Sequence, residues 1–198
     1  MEDILDVYAL PYNPNIPVIC MDEQPCHLLS HKAEPIAMKP GQTYREDYEY
    51  KREGTCSIFV FTEPLKGWRH IEARKRRTMI DWANQIDQLL NVYYPEAELI
   101  RLVMDNLNTH KIGSLYQAFT AEYARYMAKR LAIHYTPKHG SWRNIAEIEL
   151  SAVTQQSLSQ RIPDIESLNG QLAAWEKTRN ESKNISTGTS QQSRQEVS

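Results

Sequence analysis

The sequence predicts an α/β fold in which a mixed sheet of five strands, three antiparallel and then two parallel, is flanked by helices. Three apolar runs, residues 17–22, 99–104 and 131–135, have the length of buried strands, and the first two are closed by carboxylates. Segments with apolar residues three and four positions apart precede the later two runs, as in amphipathic helices. Because a helix that connects two strands favours a parallel crossover, we expect a parallel arrangement for the later strands.

Length and composition fit one ordinary domain with a polar tail. The chain has 198 residues, of which 41% are hydrophobic and 24% are charged, so it can bury a substantial core. We divide it into a linker or helix remnant (residues 1–14), a folded domain (residues 15–179) and a tail (residues 180–198). The tail consists mainly of Ser, Thr, Gln and Asn, and we expect it to be disordered because it has too little apolar surface to bury.

Charge and cysteine content narrow the class of protein. The formal net charge is −2, so any contact with nucleic acid must come from local basic patches or from another domain. Cys20, Cys26 and Cys56 show no metal-ligand spacing, and we interpret them as reduced thiols. The sequence has no apolar stretch long enough to cross a membrane and no basic signal-peptide start, which predicts a soluble, cytoplasmic protein.

The antiparallel part of the sheet is predicted from turn signals. Residues 24–43 are polar and rich in proline, which predicts a long loop after the first strand. Residues 44–50 and 55–61 flank a turn-like segment at 51–54 and are expected to form a hairpin. Residues 68–74 are the next antiparallel strand.

The helices are predicted from capping residues and apolar spacing. Thr78 and Asp81 have the spacing of a capping box, and the helix that they begin should end at Pro95. Three further helices are predicted: residues 114–130, a helix that begins near Gly140, and residues 164–176.

Three carboxylates lie at positions where α/β folds commonly have their functional groups. Asp22 and Asp105 follow buried strands, at the sheet edge where ligands of α/β proteins bind, and Glu147 lies near the start of a helix. Glu149 is the local rival of Glu147, since two residues along a helix turn the side chain by about 200° and only one of the two can face the site. Glu23 is expected to point to the face of the strand opposite to Asp22.

Three segments resemble the carboxylate motifs of the DDE transposases, in the bacterial insertion-sequence branch that is related to mariner elements. These segments are VICMDEQ, LVMDNLNTHK and HYTPKHGSWRNIAEIELS. The intervening blocks MKPGQTYREDYEY, FTEPLKGWRH and SQRIPDIESL are also similar to that branch, so the resemblance extends over residues 3–180 or so. It implies an RNase H-like catalytic domain with Asp22, Asp105 and Glu147 as catalytic and metal-binding triad, and its Asn-x-x-Glu pattern favours Glu147 over Glu149.

The resemblance also implies a chemistry and a set of partners. Three acids without His or Cys ligands suit two Mg²⁺ or Mn²⁺ ions, with Asp22 bridging both, Asp105 holding one and Glu147 the other. Water would hydrolyse the phosphodiester at a transposon end, and the freed 3′-hydroxyl would then attack target DNA. The expected partners are double-stranded DNA, a second copy of the chain in a synaptic dimer, and a separate N-terminal helix-turn-helix region, which this sequence lacks.

Several polar residues have two interpretations that the sequence leaves open. The basic cluster Arg74, Lys75, Arg76 and Arg77 is either a solvated strand end or a patch that contacts phosphate. Lys138 and His139 precede the Glu147 helix and could meet phosphate near its N-terminus. The polar residues that follow Asp105 either orient water or phosphate or bond to their own turn: Asn106, Asn108 and His110.

Two other functions stay open beside the transposase. One is a stand-alone RNase H-like nuclease that cuts DNA without joining it. The other is a shortened, weakly active transposase fragment that binds full-length partners and inhibits them. The atypical polar tail and the missing DNA-binding region favour the second of these, as expected for a truncated or frame-shifted element.

Overall fold

A five-stranded mixed sheet forms the centre of the computed structural model, which describes residues 2–31, 49–137, 144–158 and 160–182. The strands are β1 (Val18–His31), β2 (Tyr50–Glu63), β3 (Trp68–Arg74), β4 (Ile100–Met104) and β5 (Leu131–Tyr135). They are ordered β3-β2-β1-β4-β5 across the sheet. Strands β3, β2 and β1 pair antiparallel, whereas β1, β4 and β5 pair in parallel, so the predicted fold class is confirmed.

Six α-helices surround the sheet within the described residues. They are α1 (Glu2–Ala9), α2 (Met79–Gln88), α3 (Ile112–Ala118), α4 (Ala121–Lys129), α5 (Ile145–Ser157) and α6 (Ile165–Glu181). Helix α2 continues as a π-helical turn, Leu89–Tyr93. None of the helices in the described residues is both long and apolar enough to span a membrane.

Each face of the sheet has its own hydrophobic core, because successive side chains of a strand point to opposite faces. Ile19 and Met21 of β1 belong to the core that packs beneath α2, α3 and α4. Cys20 of β1 and Val103 of β4 belong to the second core, which packs beneath α1, α5 and α6. The alternation along β1 therefore decides which helices each residue of that strand faces.

Side-chain caps set the starts of the principal helices. The Thr78 side chain accepts a hydrogen bond from the Asp81 amide, and the Asp81 carboxylate accepts one from the Thr78 amide. This confirms the predicted capping box, which satisfies two amide donors that the first helical turn leaves open. The side chains of Thr120, Asn144 and Asp164 cap α4, α5 and α6 in the same way.

The predicted hairpin around residues 51–54 is wrong. Strand β1 continues well beyond Asp22, to His31, and residues 51–54 lie inside β2, where Gly54 pairs with Leu28. The loop predicted to begin at residue 24 is therefore strand as far as residue 31, and residues 32–48 lie outside the described residues. Pro25 misled the prediction: β4 pairs with β1 only at Val18–Cys20, and proline is tolerated in a strand that has one edge without a ladder partner.

The single helix predicted over residues 114–130 is also wrong. The backbone is extended at Phe119, and Thr120 then caps a new helix by accepting a hydrogen bond from the Tyr123 amide. A threonine side chain competes with the helical backbone in this way, so an N-cap in mid-pattern divides one apolar stripe into two helices. The start predicted near Gly140 falls in residues 138–143, and most of the predicted tail in residues 183–198, both outside the described residues. The domain boundaries stay a prediction.

A buried charge cluster joins β3 to α5 and α6. Glu149 of α5 is fully buried, and its carboxylate accepts hydrogen bonds from Arg69 Nη2 at 3.0 Å and Arg179 Nε at 2.9 Å. Arg69 is equally buried and also donates to the carbonyl of Gly67 at 2.8 Å. Glu149 thus has its carboxylate committed to two arginines in the interior.

We expect Glu149→Ala to lower the free energy of unfolding by about 3–5 kcal/mol, since it leaves the Arg69 guanidinium buried without its counter-charge. Urea denaturation followed by circular dichroism measures this change. Glu147→Gln, two residues earlier on the same helix and exposed, is the matched control and should change stability by less than about 0.5 kcal/mol. Equal effects of the two substitutions would contradict the structural role of Glu149.

Candidate active site

The parallel pairing of β1 with β4 brings Asp22 and Asp105 side by side. Val18, Ile19 and Cys20 pair with Arg101, Leu102 and Val103, so the same register aligns Asp22 with Asp105 two residues further on. Neighbouring strands lie about 4.8 Å apart. Both acids continue the face to which Cys20 and Val103 contribute, which is the face covered by α5.

Helix α5 is tied to β1 next to Asp22, and this tie places Glu147. Asn144 Nδ2 donates to the carbonyl of Met21 at 2.8 Å, while its Oδ1 accepts a hydrogen bond from the Ala146 amide at 3.2 Å. Asn144 is almost fully buried, so one side chain both caps the helix and fixes its first turn to the strand. Glu147 lies in that first turn and is exposed.

The other two predicted acids, Asp105 and Glu147, both act electrostatically on Asp22. Burial raises the pKa of Asp22 to about 7, helped by the negative charges of Asp105, Glu147 and Glu23, whereas a hydrogen bond from the Glu23 amide lowers it. Every charged neighbour that acts on Asp22 in the described part of the chain is another carboxylate. Such an excess of negative charge is compensated either by a proton or by a bound cation.

The carboxylates lie on the same side of the sheet, but they are not arranged as the ligands of a bound metal ion. Among the described residues, no three His, Cys, Asp or Glu side chains are arranged closely enough to hold a metal ion as they stand. The donors available on this face are carboxylate oxygens, which fit Mg²⁺ or Mn²⁺ and do not fit the nitrogen and sulfur sets that zinc prefers. The ligand roles of Asp22, Asp105 and Glu147 stay a prediction.

A buried histidine joins Asp105 to Glu23. His110 is fully buried; its Nδ1 lies 2.9 Å from Asp105 Oδ1, and its Nε2 lies 3.4 Å from Glu23 Oε2. Glu23 Oε1 in turn accepts a hydrogen bond from Arg77 Nη1 at 3.2 Å. Burial lowers the pKa of His110, but the hydrogen bond with Asp105 and the negative charges of Asp105 and Glu23 outweigh burial, so the pKa is raised above its ordinary value.

The sequence motif did not reveal this contact between Glu23 and His110. Glu23 continues the face of Ile19 and Met21, opposite to Asp22, as predicted from the alternation. The sequence leaves open whether His110 orients water or phosphate or bonds to its own turn. In the structure its side chain is bonded to Asp105 and faces Glu23. A contact between residues 87 positions apart depends on the packing of β1 against the loop after β4, for which the sequence carries no local signal.

The basic cluster at the end of β3 divides into two pairs. Arg74 Nη2 donates to Glu72 at 3.2 Å, and Arg77 bonds Glu23, so these two guanidinium groups have carboxylate partners. Lys75 and Arg76 are exposed. The other two residues predicted to contact DNA, Lys138 and His139, lie outside the described residues.

The sequence of the chain matches one family over most of its length. A sequence model of the DDE superfamily endonucleases matches residues 17–169, a span that includes Asp22, Asp105 and Glu147. The chain belongs to this family. The resemblance stated above is therefore confirmed at the level of the family, while the insertion-sequence branch stays a prediction. No curated protein matches the chain in sequence.

Solved structures of the mariner transposase Mos1 share the fold of this DDE endonuclease. A Mos1 paired-end complex with Mn gives a TM-score of 0.59 at 15% identity, covering 92% of this chain and 54% of that chain. A Mos1 paired-end complex with Mg gives 0.57 at 18% identity, covering 93% and 54%. The Mos1 strand transfer complex gives 0.58 at 15% identity, covering 89% and 51%.

These likenesses concern the fold. They confirm the RNase H-like sheet, and they also show that the chain spans about half the length of the Mos1 chains that it matches.

We expect Asn144→Ala to lower the free energy of unfolding by about 2–4 kcal/mol, because it removes the cap of α5 and leaves the buried Met21 carbonyl without its donor. Asn144→Ser should recover about 1 kcal/mol, since serine can cap the helix but cannot reach Met21. Urea unfolding measures both variants.

Thr120→Ala, at the N-cap of α4, provides the comparison. Thr120 caps its helix through one side-chain bond to the Tyr123 amide, so its loss should lower stability by about 1 kcal/mol. If Asn144→Ala proves no more destabilising than Thr120→Ala, the bond to Met21 contributes nothing. The attachment of α5 to β1 must then be attributed to the apolar contacts and to the hydrogen bond from Gln24 to Thr154.

Proposed function

We propose that this DDE endonuclease is the catalytic domain of a transposase, which hydrolyses DNA at transposon ends and transfers the freed 3′-hydroxyl to target DNA. The observation that carries the proposal is the alignment of Asp22 and Asp105 on adjacent parallel strands, beneath the helix whose first turn holds Glu147. Membership of the endonuclease family supports the reaction class. The resemblance of the three carboxylate motifs supports the transposase assignment.

The three acids are the groups that would hold two divalent cations. Such cations, Mg²⁺ or Mn²⁺, supply an activated water on one side of the phosphate and stabilise the leaving oxygen on the other. Asp22 is suited to the shared position because the negative charges of both Asp105 and Glu147 act on its carboxylate. Asp105 and Glu147 reach the site from different elements, the loop after β4 and the start of α5, and so would serve one cation each.

The nucleophile in this proposal is an oxygen of water or of DNA, since the chain offers no activated thiol beside the acids. Cys20, the cysteine nearest to Asp22 in the sequence, is fully buried, and burial raises its pKa to about 12. A thiol with such a pKa carries almost no thiolate at neutral pH. The proposed reaction accordingly involves no covalent protein intermediate. Water is the nucleophile in the first step, and the hydroxyl group of a DNA 3′-end is the nucleophile in the second.

Double-stranded DNA is the proposed substrate, and two copies of the chain are expected to meet in the complex that joins two ends. With a net charge of −2, the chain depends on local basic patches to hold phosphates. Lys75 and Arg76 form such a patch, next to Arg77, whose guanidinium bonds the Glu23 carboxylate. We also propose that a helix-turn-helix region takes part in recognising the DNA sequence.

We expect Asp22→Asn, Asp105→Asn and Glu147→Gln each to reduce metal-dependent nicking by about 10³-fold or more, since each removes charge that holds the cations. The substrate is a labelled duplex that carries the terminal repeat of the element, in Mg²⁺ and in Mn²⁺. Joined products, scored in the same gel, separate a transposase from a nuclease that only cuts.

Asp6→Asn is the matched control, because Asp6 is exposed on α1 and lies on no element of the site. It should leave nicking unchanged, and circular dichroism should show all four variants folded. A folded Asp105→Asn protein that nicks at the wild-type rate would refute the assignment of the triad.

We expect the double substitution Lys75→Gln with Arg76→Gln to weaken DNA binding at low salt and to reduce the slope of log K against log salt by about 2, since each lost phosphate contact reduces it by about 1. Fluorescence anisotropy with a labelled duplex over a range of NaCl concentrations measures this slope.

Arg125→Gln with Lys129→Gln removes the same charge from exposed positions on α4, which packs beside the edge strand β5 at the other side of the sheet. This pair should leave the slope unchanged. Equal losses from both double variants would show that only the total charge of the chain matters, and that residues 75 and 76 form no DNA-binding patch.

A further inference from the structure

Asp105 needs support from outside its strand. It follows Met104, the last residue of β4, and its side chain is 32% exposed, so neither ladder pairing nor packing fixes the carboxylate. The contact with His110 Nδ1, at 2.9 Å, occupies Oδ1. Carboxylates that bind metals are commonly oriented by such a second hydrogen bond, and the loss of the partner lowers metal affinity.

His110 is itself held from several sides. Its backbone amide donates to the Leu107 carbonyl at 3.1 Å, and its own carbonyl accepts from the Tyr135 hydroxyl at 3.1 Å. The imidazole stacks on the buried indole of Trp82, with centroids 6.0 Å apart and planes 25° from parallel. These contacts, none of which involves Asp105, hold the backbone of His110 in place and keep its ring against Trp82.

Glu23 completes the arrangement at the far side of the ring. Its side chain is only 3% exposed, and its Oε2 lies 3.4 Å from His110 Nε2. Neither atom makes a hydrogen bond within the described residues, so each is the nearest polar group available to the other. Arg77, at the surface, bonds the other carboxylate oxygen. Burying a carboxylate beside an imidazole costs free energy, because both groups lose their contacts with water. An apolar pair of the same size would fill the space without this cost, so packing alone does not explain the two residues.

We propose that Glu23 and His110 form a positioning pair that holds the Asp105 carboxylate in the orientation required for binding a divalent cation. This inference rests on the proposed function, in which Asp105 is a metal ligand. Neither residue touches the cation or the DNA: His110 acts through its hydrogen bond to Asp105, and Glu23 acts by orienting the ring.

Histidine can be replaced by two residues that each keep one of its nitrogen positions. The amide nitrogen of asparagine lies near Nδ1, and that of glutamine near Nε2. We expect His110→Gln, which loses the bond to Asp105, to raise the dissociation constant for Mn²⁺ by about 10–100-fold, whereas His110→Asn should raise it by less than about 3-fold. Isothermal titration of the metal-free, full-length chain with MnCl₂ measures this constant without DNA or turnover.

Glu23 provides an independent pair of variants. Glu23→Ala removes the group that faces Nε2 and should weaken Mn²⁺ binding by about 10-fold, while Glu23→Gln still offers the ring a hydrogen bond and should restore it. His27→Gln, on the exposed part of β1, is the matched control and should bind Mn²⁺ as the wild type does. Thermal melts identify any variant that fails to fold. If a variant of one residue does not fold, the variants of the other residue still test the proposal.

The outcomes separate the two proposals. If the wild type binds no Mn²⁺, the proposed function fails before the positioning pair is tested. If the wild type binds Mn²⁺ and His110→Gln and Glu23→Ala bind it equally well, the positioning pair is refuted while the metal site stands. Equal losses of affinity in His110→Gln and His110→Asn, with equal losses of melting temperature, would also refute it, because His110 would then only fill space beside Trp82.

Discussion

The short parallel ladder between β1 and β4 is the constraint on which the rest of the site depends. Three residue pairs, from Val18 with Arg101 to Cys20 with Val103, fix the register. A slip by one residue would send Asp22 and Asp105 to opposite faces of the sheet, because side chains alternate. The register is specified by burial on both faces, with Ile19 and Leu102 in one core and Cys20 and Val103 in the other. The apolar core therefore determines where the carboxylates meet.

At the ends of these strands, the two faces of the sheet carry acids with different surroundings. Asp22 lies on the face covered by α5 and is acted on by the other acids, whereas Glu23, the next residue, faces His110, whose ring stacks on Trp82 of α2. Consecutive acids in a strand can serve different purposes only because alternation separates them. Asn144 fixes α5 to this part of β1, since it donates to the carbonyl of Met21, the residue directly before Asp22.

The sequence allowed most of the sheet to be predicted, since apolar runs of strand length are local signals, and it placed Asp22 and Asp105 at the ends of two of them. The roles of Asp22, Asp105 and Glu147 stay a prediction. What the sequence concealed depends on distant partners. Pro25 indicated a loop, yet β2 pairs with β1 through that position and beyond it. Helical spacing alone leaves Glu149 and Glu147 as rivals, and the Asn-x-x-Glu resemblance favours Glu147. The role of Glu149 becomes visible only through its distant partners, the arginines of β3 and α6. The contact between Glu23 and His110 is of the same kind, as it exists only once the loop after β4 packs against β1.

The charge of the site also bears on the order of events in the proposed reaction. A DNA phosphate that approaches Asp22 meets the negative charges of Asp105, Glu147 and Glu23, and the positive charge of Arg77 is already engaged by Glu23. Like charges at a few ångströms repel by about 4 kcal/mol at the effective dielectric constant near a protein surface. In the proposed reaction, cations that neutralise the acids would remove this repulsion and so favour the entry of a phosphate. On this proposal, metal binding and DNA binding would be coupled, and the positioning of Asp105 would influence both.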